Sequence, residues 1–101
     1  MRRVVVLEEA AQDLETAKHF YDSQASGIGE YCVDSLIADI ESLSLFHGIH
    51  TLNFGCLRML ATHFPFGIYY LDKDRETQVI AILDLRRDPS WIHREIKRRS
   101  N

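Results

Sequence analysis

The sequence predicts an α+β fold of the order β-α-α-β-β-β with a short C-terminal helix, and three observations carry that reading. A β-branched run at 4–7 precedes two stretches whose apolar residues recur at helical spacing. Residues 57–91 then alternate between strand-like runs and turn residues. Within them, 79–85 is apolar almost throughout, as a strand covered on both faces must be. Two helices packed on one face of a mainly antiparallel meander sheet satisfy all three.

The 4–7 strand runs into Glu8 and Glu9, carboxylates placed where a helix N-terminus favours negative charge. Ala10, Leu14, Ala17 and Tyr21 then form one apolar stripe to about residue 22. The polar 22–27 connection is short enough to force an antiparallel helical hairpin. The second helix is expected over 28–46, with Val33, Leu36, Ile37, Ile40 and Leu43 inward and Asp34, Asp39 and Glu41 in water. Residues 48–55, with a glycine at each end and mixed polarity, read as a loop. A strand at 57–61, a Phe64-Pro65-Phe66 corner, a strand at 68–71, a turn at 72–75 and the 79–85 strand complete the sheet. Arg86-Arg87-Asp88-Pro89 stops the last strand, and a helix over 90–99 follows with Ser90 as its cap.

A chain of 101 residues, 46% hydrophobic, suits one domain over 1–101 with a single core. Cys32 and Cys56 sit in apolar runs without paired spacing and read as buried free thiols in a reducing compartment. No charged start joins a long apolar run, so neither a signal peptide nor a membrane span is expected, and the location expected is cytoplasmic. Charge is divided along the chain. Residues 1–85 hold six Lys/Arg against 13 Asp/Glu, a balance of −7, while 86–101 hold six against two, a balance of +4. An acidic body is a poor general nucleic-acid binder, because phosphate binding grows with the number of neutralising cations. A basic end still offers one local patch to an acidic partner.

The Phe-Pro-aromatic-x-Ile-Tyr-Tyr run at 64–70 and the Val-Ile-Ala-Ile-Leu-x-x-Arg-Arg-Asp-Pro run at 79–89 resemble the RelE/ParE superfamily of small bacterial toxins. So does the opening, where Glu9-Ala10-x-x-Asp13-Leu14 starts a helix with Phe20-Tyr21 near its end. The resemblance covers nearly the whole chain in one order. It implies the toxin of a type II toxin–antitoxin pair of the plasmid stabilisation kind, with a cognate antitoxin protein as partner and no small-molecule cofactor. ParE-like members imply DNA gyrase as the bound target, whereas RelE-like members imply cleavage of messenger RNA on the ribosome. A third reading keeps the fold as a non-toxic interaction module.

For an RNase, the candidate catalytic groups are Arg58 and Arg86, cations able to hold a scissile phosphate. An arginine in the apolar 57–61 run must reach water or an anion, so Arg58 either serves a functional face or pairs with Asp84 or Glu30. Strict alternation places Arg86 with Ile80, Ile82 and Asp84, and Arg87 with Leu83 and Leu85. Three departures weigh toward the ParE-like branch. Asp84 stands where many relatives carry His, the loop before Arg58 contains no lysine, and Trp91 replaces any later tyrosine. Only His50 and His63 are left as general bases. The target-binding residues expected on that branch are Arg87, Arg94, Lys97, Arg98 and Arg99. No metal site is expected, since His47, His50, His63 and Asp84 show no convergent ligand spacing. Phe64, Phe66, Tyr69 and Tyr70 read as core and edge packing rather than a base-stacking platform.

Overall fold

The computed structural model describes residues 2–100. Strand β1 (Arg3–Val6) leads into helices α1 (Glu8–Gln24) and α2 (Ile28–Phe46). Strands β2 (Thr51–Asn53), β3 (Cys56–Leu60), β4 (Phe66–Lys73) and β5 (Glu76–Asp84) follow, and helix α3 (Pro89–Ser100) closes the chain. The five strands form one sheet in the order β1-β5-β4-β3-β2, with β1 parallel to β5 and every other pair antiparallel. The α+β layout expected from the sequence is therefore present.

One expectation fails at 48–55, where the structure has a fourth meander strand instead of a loop. Phe54 and Gly55 both take positive φ, 54° and 85°. Two successive positive φ angles build the two-residue hairpin turn whose twist matches that of its strands. The turn brings Asn53 opposite Cys56 and Thr51 opposite Arg58. Left-handed backbone is uncommon for a phenylalanine; here the Phe54 ring stacks on His93 of α3 at 4.5 Å.

The sheet divides two apolar layers. Ala10, Ala17, Cys32, Leu36, Ile40 and Leu43 of the helical hairpin pack on Met59, Phe66, Ile68, Tyr70, Val79 and Ile82. Ile92 and Ile96 of α3 pack on the opposite face against Cys56, Tyr69, Ile80, Ala81 and Leu83. The apolar character of β5 follows, since both its faces are covered. Each buried Leu or Ile in these layers stabilises by about 1.5–3 kcal/mol relative to exposure. Ile37, expected inward, is exposed. The buried stripe of α2 runs through Gly29, Cys32, Leu36, Ile40 and Leu43, and Ile37 lies one position off it. Asp39 is half-buried, its carboxylate accepting from the Thr62 N–H at 2.9 Å and hydroxyl at 2.7 Å. It ties α2 to the segment after β3.

Strict alternation also fails in β5. The register slips between Tyr69 and Tyr70, which face Ala81 and Val79, so Ile80 is the extra residue of a bulge. Ile80 and Ala81 both join the α3 layer, while Val79 and Ile82 stay under the hairpin. A bulge leaves no mark in a continuous run of Val, Ile, Ala and Leu.

Ser90 is not the cap of α3. Its N–H donates to Asp88 Oδ1 at 2.9 Å, and the Ile92 N–H donates to the Asp88 carbonyl at 3.1 Å. Asp88 is therefore the N-cap and Pro89 the first helical residue, a position that needs no N–H. Asp88→Ala is expected to lower the melting temperature by a few degrees, with α3 fraying first in hydrogen exchange. Unchanged protection of the Ser90 and Ile92 amides in that variant argues against the cap.

Candidate functional site

Strand β5 ends at Asp84, and the chain then turns, with the Leu85 N–H donating to the Pro65 carbonyl at 2.8 Å and the Arg87 N–H to the Asp84 carbonyl at 3.2 Å. Arg86 and Arg87 consequently lie outside the strand and do not follow its alternation. Arg86 folds back onto Asp84, with Nη2 2.6 Å from Oδ2 and Nε 3.0 Å from Oδ1. Its Nη2 also reaches the Tyr21 hydroxyl at 3.3 Å. The Arg86 guanidinium holds the Asp84 carboxyl below its ordinary range. An arginine neutralised in this way has little charge left for a phosphate.

Arg87 lies over the Trp91 ring, 3.6 Å from its centre, a cation–π contact that leaves the guanidinium facing solvent. Further along α3, the basic residues separate into two groups. Arg98 pairs with Glu9 and Glu95. Arg99 turns inward, its side chain 8% exposed, and forks onto Asp13 with Nη1 2.6 Å from Oδ2 and Nη2 3.1 Å from Oδ1. It also pairs with Glu95 at 3.0 Å. Arg94 reaches only the Ser90 hydroxyl, at 3.3 Å. Among the described residues, Arg87, Arg94 and Lys97 enter no salt bridge. Of the five target-binding candidates, Arg94 and Lys97 present free charge on the outer side of α3, Arg87 carries its charge just before α3 at the groove between α1 and α3, Arg98 is compensated, and Arg99 is structural.

The Asp13–Arg99 pair performs a backbone task. β1 stops opposite Val79, so the upper half of β5 has no neighbour on that side. There Asp13 Oδ2 accepts from the Ile82 N–H at 2.8 Å, and Arg99 Nη1 donates to the Ile80 carbonyl at 3.1 Å. Two side chains stand in for a missing strand, satisfying groups that are costly to bury unpaired. Burial pushes the Asp13 carboxyl above its ordinary value, with Arg99 and the Ile82 amide pulling against it. Above the pair a groove of about 460 Å³ opens between α1 and α3, walled by Thr16, Phe20, Asp84, Arg87 and Trp91.

Arg58 sits elsewhere. On β3 it lies opposite Thr51 and Tyr69, on the α3 side of the sheet. Neither Asp84 nor Glu30 pairs with it; its Nε is buried without a hydrogen-bond partner, at a shallow cavity shared with Ile49, His50 and Thr51. Burial raises the pKa of the neighbouring Tyr69 hydroxyl, with Arg58 acting in the opposite sense. Arg58 on β3 and Arg86 in the turn after β5 thus lie on opposite faces of the sheet, and the structure does not bring them together.

The histidines occupy a separate polar cluster. His47 Nδ1 lies 2.9 Å from Asp72 Oδ2, and the Thr77 hydroxyl donates to Asp72 Oδ1 at 2.6 Å. His50 meets the Tyr70 hydroxyl, which also accepts from the Gly48 N–H at 2.9 Å. Burial lowers the His50 pKa, favouring its neutral form. His63 lies beside Tyr31, away from Arg58. Among the described residues, no three His, Cys, Asp or Glu side chains converge as metal ligands. Cys32 and Cys56 are free and buried, as expected. Sequence reasoning missed Asp13 and Tyr21 as partners of the basic end. The available signal was an acid inside the stripe of α1, between Ala10 and Leu14, where solvent access is poor.

No family model matches the chain, and no curated protein matches it. Six chains of solved structures do. One, from a structure of the chromosomal ParDE TA system of P. aeruginosa, superposes with a TM-score of 0.74 over 81% of this chain and 94% of that chain, at 18% identity. A likeness of that extent and identity establishes the fold. Among the described residues, no helix is long and apolar enough to cross a membrane.

Proposed function

We propose that this chain is the ParE-like toxin of a bacterial toxin–antitoxin pair, acting in the cytoplasm by binding its target rather than by cutting RNA. Its fold, shared with a chain of the ParDE TA system, supports the toxin reading. The observation that carries the mode of action is the division of cations at the C-terminus. Arg94 and Lys97 stand free on the outside of α3, with Arg87 uncompensated just before its first turn, while Arg98 and Arg99 are held by acids. Free charge on one side of a rigid helix is a docking surface for an acidic partner. The target proposed from the family resemblance is DNA gyrase, and the neutralising partner a cognate antitoxin.

Induction of the chain alone should arrest growth, and co-expression of the neighbouring antitoxin gene should restore it. Arg94→Glu combined with Lys97→Glu should abolish the arrest while leaving antitoxin binding largely intact. Target binding by the unaltered protein should weaken as salt rises, since charge attraction is screened beyond roughly 8–10 Å. Full toxicity of the double reversal moves the target surface elsewhere. Normal growth with and without the antitoxin leaves only the non-toxic interaction module.

The buried Nε of Arg58, without a hydrogen-bond partner, favours a second reading, a ribosome-dependent messenger-RNA endonuclease. Against it stand the separation of Arg58 from Arg86 and the salt bridge that occupies Arg86. Primer extension on messenger RNA from a translation extract separates the two, because a gyrase poison leaves no new 5′ ends. Inhibition of supercoiling by purified gyrase identifies the proposed target.

A further inference from the structure

Asp13, Thr16, Ala17 and Phe20 follow one another at helical spacing along the side of α1 that faces α3. Ala17 is the smallest of the four, and its missing bulk helps leave the hollow of about 460 Å³ between the two helices. The hollow lies beyond the end of β1, where β5 has no strand beside it. Buried side chains of β4 and β5, namely Phe66, Ile82 and Leu83, form its floor, and Trp91 closes the α3 side. Phe20 is 47% exposed; among the described residues it is the one large apolar side chain that α1 leaves in solvent.

Four charged side chains line this hollow, and three of them are already answered. Asp13 and Arg99 pair with each other, and Asp84 is held by Arg86. Arg87 is the fourth. The Trp91 ring beneath its guanidinium fixes it at the rim, and among the described residues no carboxylate pairs with it. A guanidinium stacked on an aromatic ring keeps its N–H edges free to grip a carboxylate through two parallel bonds. The hollow thus joins an apolar interior to one unanswered cation. The exposed side chains flanking it, Gln12 and His19 on α1 and Arg94 and Arg98 on α3, are polar, so the apolar surface stops at the rim. That extent suits a small molecule, whose sites enclose about 300–1,000 Å³ with few polar groups. A protein partner ordinarily covers about 800 Å² on each side, far more than the hollow itself.

We propose that this hollow binds a small amphiphilic carboxylate, its aromatic or alkyl body between Phe20 and Trp91 and its head group on Arg87. Charge selects the head group, because a cation meets Arg87 without relief and a neutral group leaves it unanswered. Asp13 and Asp84 do not oppose an anion, since each is matched by its own arginine. The floor selects the body, because apolar surface gains from burying carbon and loses by covering a polar group that finds no partner. The site is separate from Arg94 and Lys97 and does not depend on the toxin reading.

Trp91 is the only tryptophan of the chain, so its fluorescence reports occupation of the hollow. Titration with 4-phenylbutyrate, and with 4-phenylbutan-1-ol as the same body without charge, provides the test. The carboxylate should give a saturable change in Trp91 emission and bind at least about tenfold tighter than the alcohol, the usual worth of a charge-assisted hydrogen bond. Arg87→Met should remove that preference at unchanged melting temperature, since the Arg87 side chain is exposed. Calorimetry reads affinity in this variant, where loss of the cation over Trp91 alters the emission itself. Thr16→Phe, at an exposed helical position, should fill the hollow and abolish binding of both compounds. Lys97→Gln, which removes a cation outside the hollow, should leave the affinity within about twofold. No saturable change up to about 10 mM 4-phenylbutyrate overturns the proposal. So does equal affinity for carboxylate and alcohol, or a preference that survives in Arg87→Met. If an acetylated Phe-Glu dipeptide amide binds and 4-phenylbutyrate does not, the hollow takes a protein segment and the assignment to a small molecule fails.

Discussion

Gly29→Ala is expected to destabilise the protein by about 3 kcal/mol or more, although alanine is the better helix former. Propensity alone favours alanine inside a helix by about 1 kcal/mol. Packing opposes it. A Cβ at position 29 meets the Lys18 carbonyl oxygen at 2.2 Å and the Asp22 side chain at 2.6 Å. The oxygen is backbone, so it yields only if α1 and α2 move apart. Their separation also stretches the bond from the Gly29 N–H to Asp22 Oδ1, 2.9 Å long, and loosens the layer around Ala17 and Cys32. Overpacking of a tight contact costs about 1–3 kcal/mol, and more where backbone must shift. For a domain of this size the melting temperature should fall by roughly 10 °C or more. Thermal unfolding followed by circular dichroism decides it, and a variant at least as stable as the parent removes the close-contact argument.

The second large effect concerns Arg99. Arg99→Met should cost about 3–5 kcal/mol, the usual loss when one member of a buried ion pair is removed and the other left without a partner. It also frees the Ile80 carbonyl at the unpaired stretch of β5. Arg98, more than half exposed and paired only at the surface, should show little change when replaced in the same way. Two further measurements distinguish a stranded charge from simple loss of packing. Asp13→Asn in the Arg99→Met background should recover part of the stability, because it removes the orphaned charge. The deficit should also shrink as pH falls. Burial already raises the folded-state pKa of Asp13, and loss of Arg99 raises it further. A group with a raised folded pKa binds more protons folded than unfolded, so stability rises as pH drops from above toward and through that pKa. A deficit independent of pH, with no recovery in the double variant, counts against the pair. The same result governs how toxicity experiments are designed: reversing Arg99 with its neighbours disrupts the fold, whereas Arg94 and Lys97 are free to vary.

Much of this molecule was legible in its sequence because the relevant forces are local. Helical spacing located α1 and α2, since a stripe repeating every 3.6 residues has one consistent way to be buried. The unbroken apolar run of β5 marks it as covered on both faces, and α3 supplies the second cover. Asp84 beside Arg86 was recognisable as a salt bridge because the two stand only two positions apart in the sequence. Where the sequence misled, two answers fitted one pattern. Thr51–Asn53 has loop composition yet forms a strand, because β3 was available to pair with it.

Tertiary structure alone decided the rest. Composition placed half the positive charge in the last sixteen residues, but not which of those charges stay free. Arg99 is adjacent to Arg98 in sequence, yet it finds Asp13 across 86 positions, while Lys97 remains in solvent. Gly29 looks like any weak helix residue until α1 crosses it at Lys18. The bulge at Ile80 is silent in a run of similar side chains. Periodicity, turn chemistry and capping act over a few residues and can be read along the chain. Pair formation and close approach depend on which distant segments meet, and that is settled only when the helices and the sheet pack together.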